Sequence, residues 1–238
     1  MLRLSCKLGK LGAAPVIELL PNENKRDDYV EAADFARLLT KFHDLDVRDL
    51  VEFQYASGWR VGSIMRLEKK DIDWQRETVK LRDAISKNKQ ASLLSFKKFP
   101  SMRAVLLRRK EKLRLNCPFI FHRNGRRIKD FRHEWKRATG EAKLAGLSDH
   151  GLCRSCAGNL SRAGVPETVA SKYMNRKTLS IYKLYRIVDT VDTELAGEAY
   201  QRYLDREANA AKIAELEDEH RQNSHIESTS KPQAIVNS

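Results

Sequence analysis

The chain has 238 residues, with 45 Lys and Arg against 32 Asp and Glu and a formal net charge of +13. Hydrophobic residues at 41% allow one well-filled core and exclude a chain disordered throughout, while the charge surplus makes a polyanion, nucleic acid first, the expected partner. No apolar run is long enough to cross a bilayer, and the basic segment Met1–Pro15 lacks the continuous apolar stretch of a signal peptide, so a cytoplasmic protein with free thiols is expected.

Residues 1–24 are basic and end in Leu20-Pro21-Asn22-Glu23-Asn24, which reads as a linker. Apolar residues at helical spacing then predict a helix from Tyr29 to about His43 and a second from Val47 to Ala56, with Gly58 as its stop. A short helix over Val61–Leu67 follows. The period changes at Asp71-Ile72-Asp73-Trp74 and Thr78-Val79-Lys80-Leu81, two strands about a Gln75-Arg76 turn. The polar stretch Ser86-Lys87-Asn88-Lys89-Gln90 leads to a third strand over Ser92–Phe96. This is the pattern of a small antiparallel sheet with an exposed basic hairpin. Beyond it the chain reads as helix over Pro100–Leu113, an extended piece at Phe119-Ile120-Phe121, a turn at Asn124-Gly125, and helix over Asp130–Ala145. Asp149 is the expected cap of a helix running to Arg162. Pro166 stands in the first turn of the next, and Thr178 or Ser180 begins another. An Ala- and Glu-rich helix is predicted from Asp192 to about His220, with 221–238 as a disordered tail. The fold class is α+β, mainly helical.

Isolated basic and hydroxyl side chains stand at the joints between these elements. Gly58-Trp59-Arg60-Val61-Gly62-Ser63-Ile64 precedes Leu67 and Asp71-Ile72-Asp73. Ser86-Lys87-Asn88 lies on the hairpin. Phe121-His122-Arg123-Asn124-Gly125 is followed by Ile128-Lys129-Asp130-Phe131. His150-Gly151-Leu152-Cys153-Arg154-Ser155 opens one helix, and Lys177-Thr178 precedes Tyr185-Arg186-Ile187-Val188. In this order, over roughly residues 25–190, the blocks resemble the catalytic domain of tyrosine recombinases of the phage-integrase type.

The resemblance implies the catalytic-domain fold of the DNA breaking-rejoining enzymes, with double-stranded DNA as partner and no metal or other cofactor. Its chemistry is attack of a tyrosine oxygen on a phosphodiester, giving a 3′-phosphotyrosyl link that a 5′-hydroxyl later reverses. Carried over by position, Arg60 is the first phosphate clamp and Lys87 the general acid for the leaving 5′-oxygen. His150 is the proton acceptor and phosphate ligand, and Tyr185 is the nucleophile. Taken singly, each has a plainer reading: a surface arginine, a turn lysine, a helix-start histidine and a tyrosine packed beside Tyr182 and Ile187.

The sequence also departs from the pattern. The second arginine is replaced by Cys153, a neutral thiol with only a weak donor. Asn175-Arg176 replaces the usual Gly-His, Gly151 an aspartate, and Ser63 a carboxylate. Loss of one charge clamp costs about 10²–10³-fold in rate, so impaired cleavage is expected. Arg154 and Arg176 are the two residues able to compensate. A basic DNA-binding regulator without strand transfer is the alternative. A metal or redox role for His150, Cys153 and Cys156 is the reading from another class; only Cys117 or another histidine could complete a zinc set, and a redox motif would need a βαβ setting that the pattern lacks.

The basic residues crowd between Arg108 and Lys143 with few matching acids, as expected of a phosphate-tracking surface. The resemblance divides the chain into a remnant of a preceding domain or linker (1–24), a catalytic domain (25–191), a C-terminal helix (192–220) and a tail (221–238). That helix either docks on a neighbouring protomer, giving a homo-oligomer on DNA, or packs on its own domain.

Overall fold

A side-chain cap, a left-handed glycine and a two-residue turn set the main joints of the chain. In the computed structural model, which describes Gly9, residues 28–185 and residues 190–229, the first elements are α1 (Ala32–Leu39), α2 (Leu45–Ser57) and a short α3 (Val61–Ile64). The Asp44 carboxylate starts α2 by accepting from the backbone N–H groups of Asp46 and Val47, two donors the helix cannot satisfy itself. Gly58 ends it at φ 63°, its N–H returning to the Gln54 carbonyl. A Cβ there would lie 2.8 Å from Met174 Cε and 2.9 Å from Cys156 Sγ, so both the backbone angle and the close approach require glycine.

Strands β1 (Ile72–Asp73), β2 (Thr78–Leu81) and β3 (Ser92–Ser95) form an antiparallel sheet in that order, with Val79 opposite both Ile72 and Leu94. Val79 and Leu81 face the core while Lys80 faces out. The β2–β3 connection carries Ser86, Lys87 and Asn88. Helix α4 (Pro100–Glu111) follows, with proline in its first turn. A second sheet pairs β4 (His122–Arg123) with β5 (Arg126–Arg127), and Asn124 and Gly125 between them both take positive φ, 48° and 83°. That is the pair of angles a tight two-residue hairpin needs. The remaining elements are α5 (Arg132–Glu141), α6 (Asp149–Arg162), α7 (Glu167–Tyr173), α8 (Leu179–Lys183) and α9 (Thr190–Thr229). Among the described residues no helix is long and apolar enough to cross a membrane.

Several boundaries differ from the sequence-based expectation. Ser148, not Asp149, caps α6, because its hydroxyl is the group that accepts from the Gly151 N–H. Helix α5 begins at Arg132 because the Asp130 carboxylate turns back to accept from the Arg132 N–H. It ends before Lys143, which takes φ 57°. Extended pairing starts at His122 rather than Phe119, whose single bridge is to Glu68. Residues 221–229, expected in a disordered tail, continue α9, while 230–238 and, apart from Gly9, the 1–24 segment lie outside the described residues.

Helix α2 is the central strut. Its Leu50, Val51 and Phe53 are fully buried, and it packs on α4 and α6. One charge is buried with it. Arg109 of α4 has no exposed surface and uses every face of its guanidinium: it ion-pairs with Asp46, lies 3.6 Å from Asp49, and donates to the carbonyls of Ile120 at 3.1 Å and His122 at 2.9 Å. The pair therefore welds α2 to α4 and to the strand leading into the second sheet. A smaller cluster of Cys153, Cys156, Ala157, Ala170, Met174 and Tyr182 sits under α7 and α8.

Arg109→Met is expected to destabilise the domain by about 3 kcal/mol, because it removes one of the two cations beside the buried Asp49 carboxylate and leaves the Ile120 and His122 carbonyls without their donor, and urea unfolding reads this directly. Gly58→Ala combines a left-handed alanine with overpacking and is expected to cost about 2 kcal/mol or more in the same assay.

Candidate active site

The turn at Gly58 swings Trp59 and Arg60 off the end of α2. Trp59 is fully buried, set edge-on to Phe53, and donates its Nε1–H to the Tyr173 carbonyl at 2.9 Å. This anchor leaves Arg60 half-buried at the head of α3, where Nη1 donates to Asn88 Oδ1 at 3.2 Å. Asn88 Nδ2 in turn donates to the Asn175 carbonyl at 2.8 Å, and Asn175 Nδ2 to Ser86 Oγ at 2.8 Å. One hydrogen-bonded chain thus joins the Arg60 corner, the β2–β3 connection and the turn before Arg176. Lys87 lies between two anchored residues with its own side chain exposed, and no hydrogen bond or ion pair holds it among the described residues. An amine on a pinned loop with a loose tip suits proton delivery to a ligand that arrives from solvent.

His150 stands at the start of α6, about half exposed, with Nδ1 3.4 Å from Asp149 Oδ1. Burial acts to raise the Asp149 carboxyl, but the hydrogen bond and charge of His150 outweigh it and hold the group below the usual carboxylate range. One turn on, Cys153 is buried with its thiol 3.7 Å from the Trp59 carbonyl and 3.9 Å from Gln54 Nε2. Position 153 therefore points at the Gly58–Arg60 corner, but with a neutral group. Burial pushes the neighbouring Cys156 thiol far up. The reading of His150, Cys153 and Cys156 as a metal corner finds no support: the histidine faces solvent, the thiols are buried, and no metal-holding group of three acidic, His or Cys side chains occurs among the described residues.

The structure does not bring Arg154 into this cluster. Its Nε donates to the Asp28 carbonyl at 2.7 Å, its Nη2 pairs with the Asp28 carboxylate and reaches Ser148 Oγ at 3.3 Å. It fastens the segment before α1 to α6. The same segment explains Gly151, where a Cβ would lie 2.9 Å from the Asp28 carbonyl. An aspartate at 151 has no room because Asp28 brings its carboxylate there, accepting from the Ser148 N–H.

Arg176 is brought in. It is 4% exposed, and Nη2 donates to the Gly58 carbonyl at 2.7 Å. Its guanidinium carbon lies 3.9 Å from the centre of the Tyr185 ring. Nε and Nη1 are buried and have no partner among the described residues. Tyr185 is half-buried just past α8, its N–H bonded to the Tyr182 carbonyl at 2.8 Å, and Tyr182 is fully buried with its hydroxyl 3.3 Å from the Ala157 carbonyl. Arg60, the Lys87 loop, Arg176 and Tyr185 are thus linked through contacts, with Cys153 facing the same corner. Reasoning from sequence gave no structural role to Asn88, Asn175 or Asp28. Asn175 was detectable: it stands in place of a glycine and takes φ 51°, an angle asparagine tolerates better than other side chains.

The basic surface is smaller than its residue count suggests. Arg108 pairs with Asp49 and Glu52, Arg109 with Asp46, Arg123 with Asp44, Arg132 with Asp130, and Arg137 with Glu134 and Glu141. These acids lie far off in sequence or within a few residues of their cations, so the excess of unmatched cations read there was too large. Arg126, Arg127, Lys129, Lys136 and Lys143 carry no ion pair among the described residues. The first three line an open cleft of about 1020 Å³ on the β4–β5 hairpin with Phe119 and Arg123.

Comparison with known proteins bears on the family and the fold. The profile of the phage integrase family matches residues 27–190. No sequence among the curated proteins matches the chain. Among solved structures, the XerA recombinase is 16% identical with a TM-score of 0.58, covering 84% of this chain and 72% of that one. A Tn1549 transposon integrase in complex with a circular intermediate DNA is 12% identical with a TM-score of 0.60, covering 84% and 75%. A lambda integrase dimer bound to a core site is 15% identical with a TM-score of 0.60, covering 75% and 68%. At these identities the likeness is one of fold, that of tyrosine recombinase catalytic domains. With the matched span covering most of the described chain, the protein belongs to the phage integrase family.

Proposed function

We propose that the chain binds double-stranded DNA and acts in DNA recombination as a tyrosine recombinase whose strand cleavage is slow. The observation that carries this reading is the hydrogen-bonded chain from Arg60 through Asn88 to Asn175, with Arg176 against Tyr185 beside it. Sequence-distant groups of the required types converge at one corner, and the plainer reading of each alone does not account for that. Solved relatives of the same fold are integrases bound to DNA.

In this reading the Tyr185 oxygen attacks the phosphorus, a phosphotyrosyl bond forms, and the bond to the 5′-oxygen breaks. Arg60 neutralises the non-bridging oxygens, Lys87 protonates the departing 5′-oxygen, and His150 takes the phenolic proton. Cys153 supplies no charge, so the rate falls by about 10²–10³-fold against a site with both arginines. The unpaired Arg126, Arg127 and Lys129 are the candidate backbone contacts. A second copy is the partner that α9 suits, because its Val191, Leu195, Tyr203 and Ile213 are all exposed.

Duplex binding is expected to weaken by about 10³-fold between 50 and 200 mM salt, read by fluorescence anisotropy, and a flat response would remove DNA from the reading. Covalent capture on nicked duplexes from the flanking genomic sequence tests the chemistry. A denaturant-stable adduct that forms slowly, disappears in Tyr185→Phe and forms faster in Cys153→Arg is the expected result. An adduct that persists in Tyr185→Phe would assign the nucleophile elsewhere. Tight duplex binding with no adduct in either the natural chain or Cys153→Arg would favour the regulator.

A further inference from the structure

The hairpin that carries Arg126 and Arg127 pairs two residues with two, and so short a ladder is marginal in water by itself. What fastens it lies beneath. His122, the first residue of β4, is 2% exposed, and its Nδ1 accepts the Gly125 backbone N–H at 3.4 Å, tying the turn back to the strand that leads into it. An imidazole nitrogen that accepts carries no proton, so the ring is neutral with its hydrogen on Nε2. Nε2 is buried and closes no well-formed hydrogen bond among the described residues.

The groups around this ring are mostly cations. The His122 carbonyl accepts from the buried Arg109 at 2.9 Å, and Arg127 is its partner across the strands. Burial first, then the charges of Arg109 and Arg114, hold the imidazole below the ordinary histidine value of 6.5, against the pull of the Asp46 carboxylate on α2 and of the Lys112 backbone. Asp46 is itself engaged by two cations. Burial acts to raise it, but its bonds to Lys112 and Arg109 keep it below the usual carboxylate range, so it stays charged where a histidine titrates.

We propose that His122 is a proton-sensitive latch on the β4–β5 hairpin: the neutral ring holds the turn, and the protonated ring releases it. A proton on Nδ1 sets one donor against another at the Gly125 N–H and places a second cation beside Arg109. Opening the hairpin to water relieves both. The open hairpin therefore takes the proton at the ordinary value and the closed one resists it, so closure is complete above pH 6.5 and is lost progressively as pH falls below it. The latch stands without the function proposed above. That its release weakens DNA binding, by freeing Arg126 and Arg127, rests on that function.

Amide exchange on the full chain reads the latch at Gly125. After correction for the intrinsic pH dependence of exchange, protection of the Gly125 amide in the natural chain is expected to fall about 3–10-fold from pH 7.5 to 5.5, while the amides of Leu50 and Phe53 in α2 keep theirs. His122→Asn places an acceptor, Oδ1, near the position of Nδ1 and does not titrate, so its Gly125 protection is expected to be equal at the two pH values. Equal protection in the natural chain, or a fall that persists in His122→Asn, would overturn the latch. An NMR titration of the natural chain decides without any variant. The His122 ring and the Gly125 amide are expected to shift together with one midpoint below 6.5, and a ring that titrates at or above that value sinks the proposal. For DNA, the ratio of natural to His122→Asn duplex affinity cancels the protonation of the exposed His43, His133 and His150, and it is expected to drop about 3-fold between pH 7.5 and 5.5. A flat ratio beside a loosened Gly125 would take the hairpin off the DNA surface and keep the latch, whereas a falling ratio beside an unmoved Gly125 would remove the latch alone.

Discussion

The left-handed residue at the end of α2 holds the site together. Gly58 has no side chain, so Met174 and Cys156 close to within a distance that would bring them under 3 Å from any Cβ there. That contact draws α6 and α7 against the end of α2. The same turn presents the Gly58 carbonyl to Arg176, the Trp59 carbonyl to Cys153 and the Arg60 side chain to Asn88. Trp59, buried and bonded to the Tyr173 carbonyl, stops the corner from rotating. Three helices and a strand connection thus take their register from one backbone angle, and the side chains of the candidate site inherit it.

Charge in this domain has two fates. Much of it is internal mortar: Arg109 with Asp46, Arg108 with Asp49 and Glu52, Arg137 with Glu134, Arg154 with Asp28. The Glu134 carboxylate shows how firmly such pairs are set. Burial alone would raise it, yet the bonds from Arg137 and from the backbone N–H groups of Asp44 and His43 bring it down to about 2. Other cations face outward, Arg126, Arg127 and Lys129 on or beside the β4–β5 hairpin among them, and Arg176, one of two buried arginines among the described residues, faces inward with Nε and Nη1 unpartnered. A net charge cannot separate these fates, because ion pairing depends on which segments meet.

The departures from the family pattern sort by their physical consequence. Asn175 for glycine is harmless to the backbone, since asparagine accepts the positive φ, and its side chain adds the bond to Ser86. Gly151 for aspartate is matched by Asp28 arriving from another segment. Cys153 for arginine removes a charge that nothing on α6 replaces, since Arg154 is already occupied. Of the three, only the last leaves the candidate site short of a charge.

The sequence determined the helices, the small sheet with its exposed loop, the stop at Gly58 and the Asn124-Gly125 turn. These rest on periodicity and on backbone angles that few residues accept, and both are local properties. Order along the chain was enough to single out Arg60, Lys87, His150, Arg176 and Tyr185. It did not establish which of them meet, that Asn88 and Asn175 tie the first arginine to the hairpin, that Arg154 is consumed by Asp28, or that most arginines of the basic third are paired. Each of those is a contact between segments tens of residues apart, as with Asn88 and Asn175, 87 positions from one another. Whether a guanidinium is mortar or an open fork depends on what stands within about 3 Å of each nitrogen, and that distance is set by the packing of helices and not by the chain beside it.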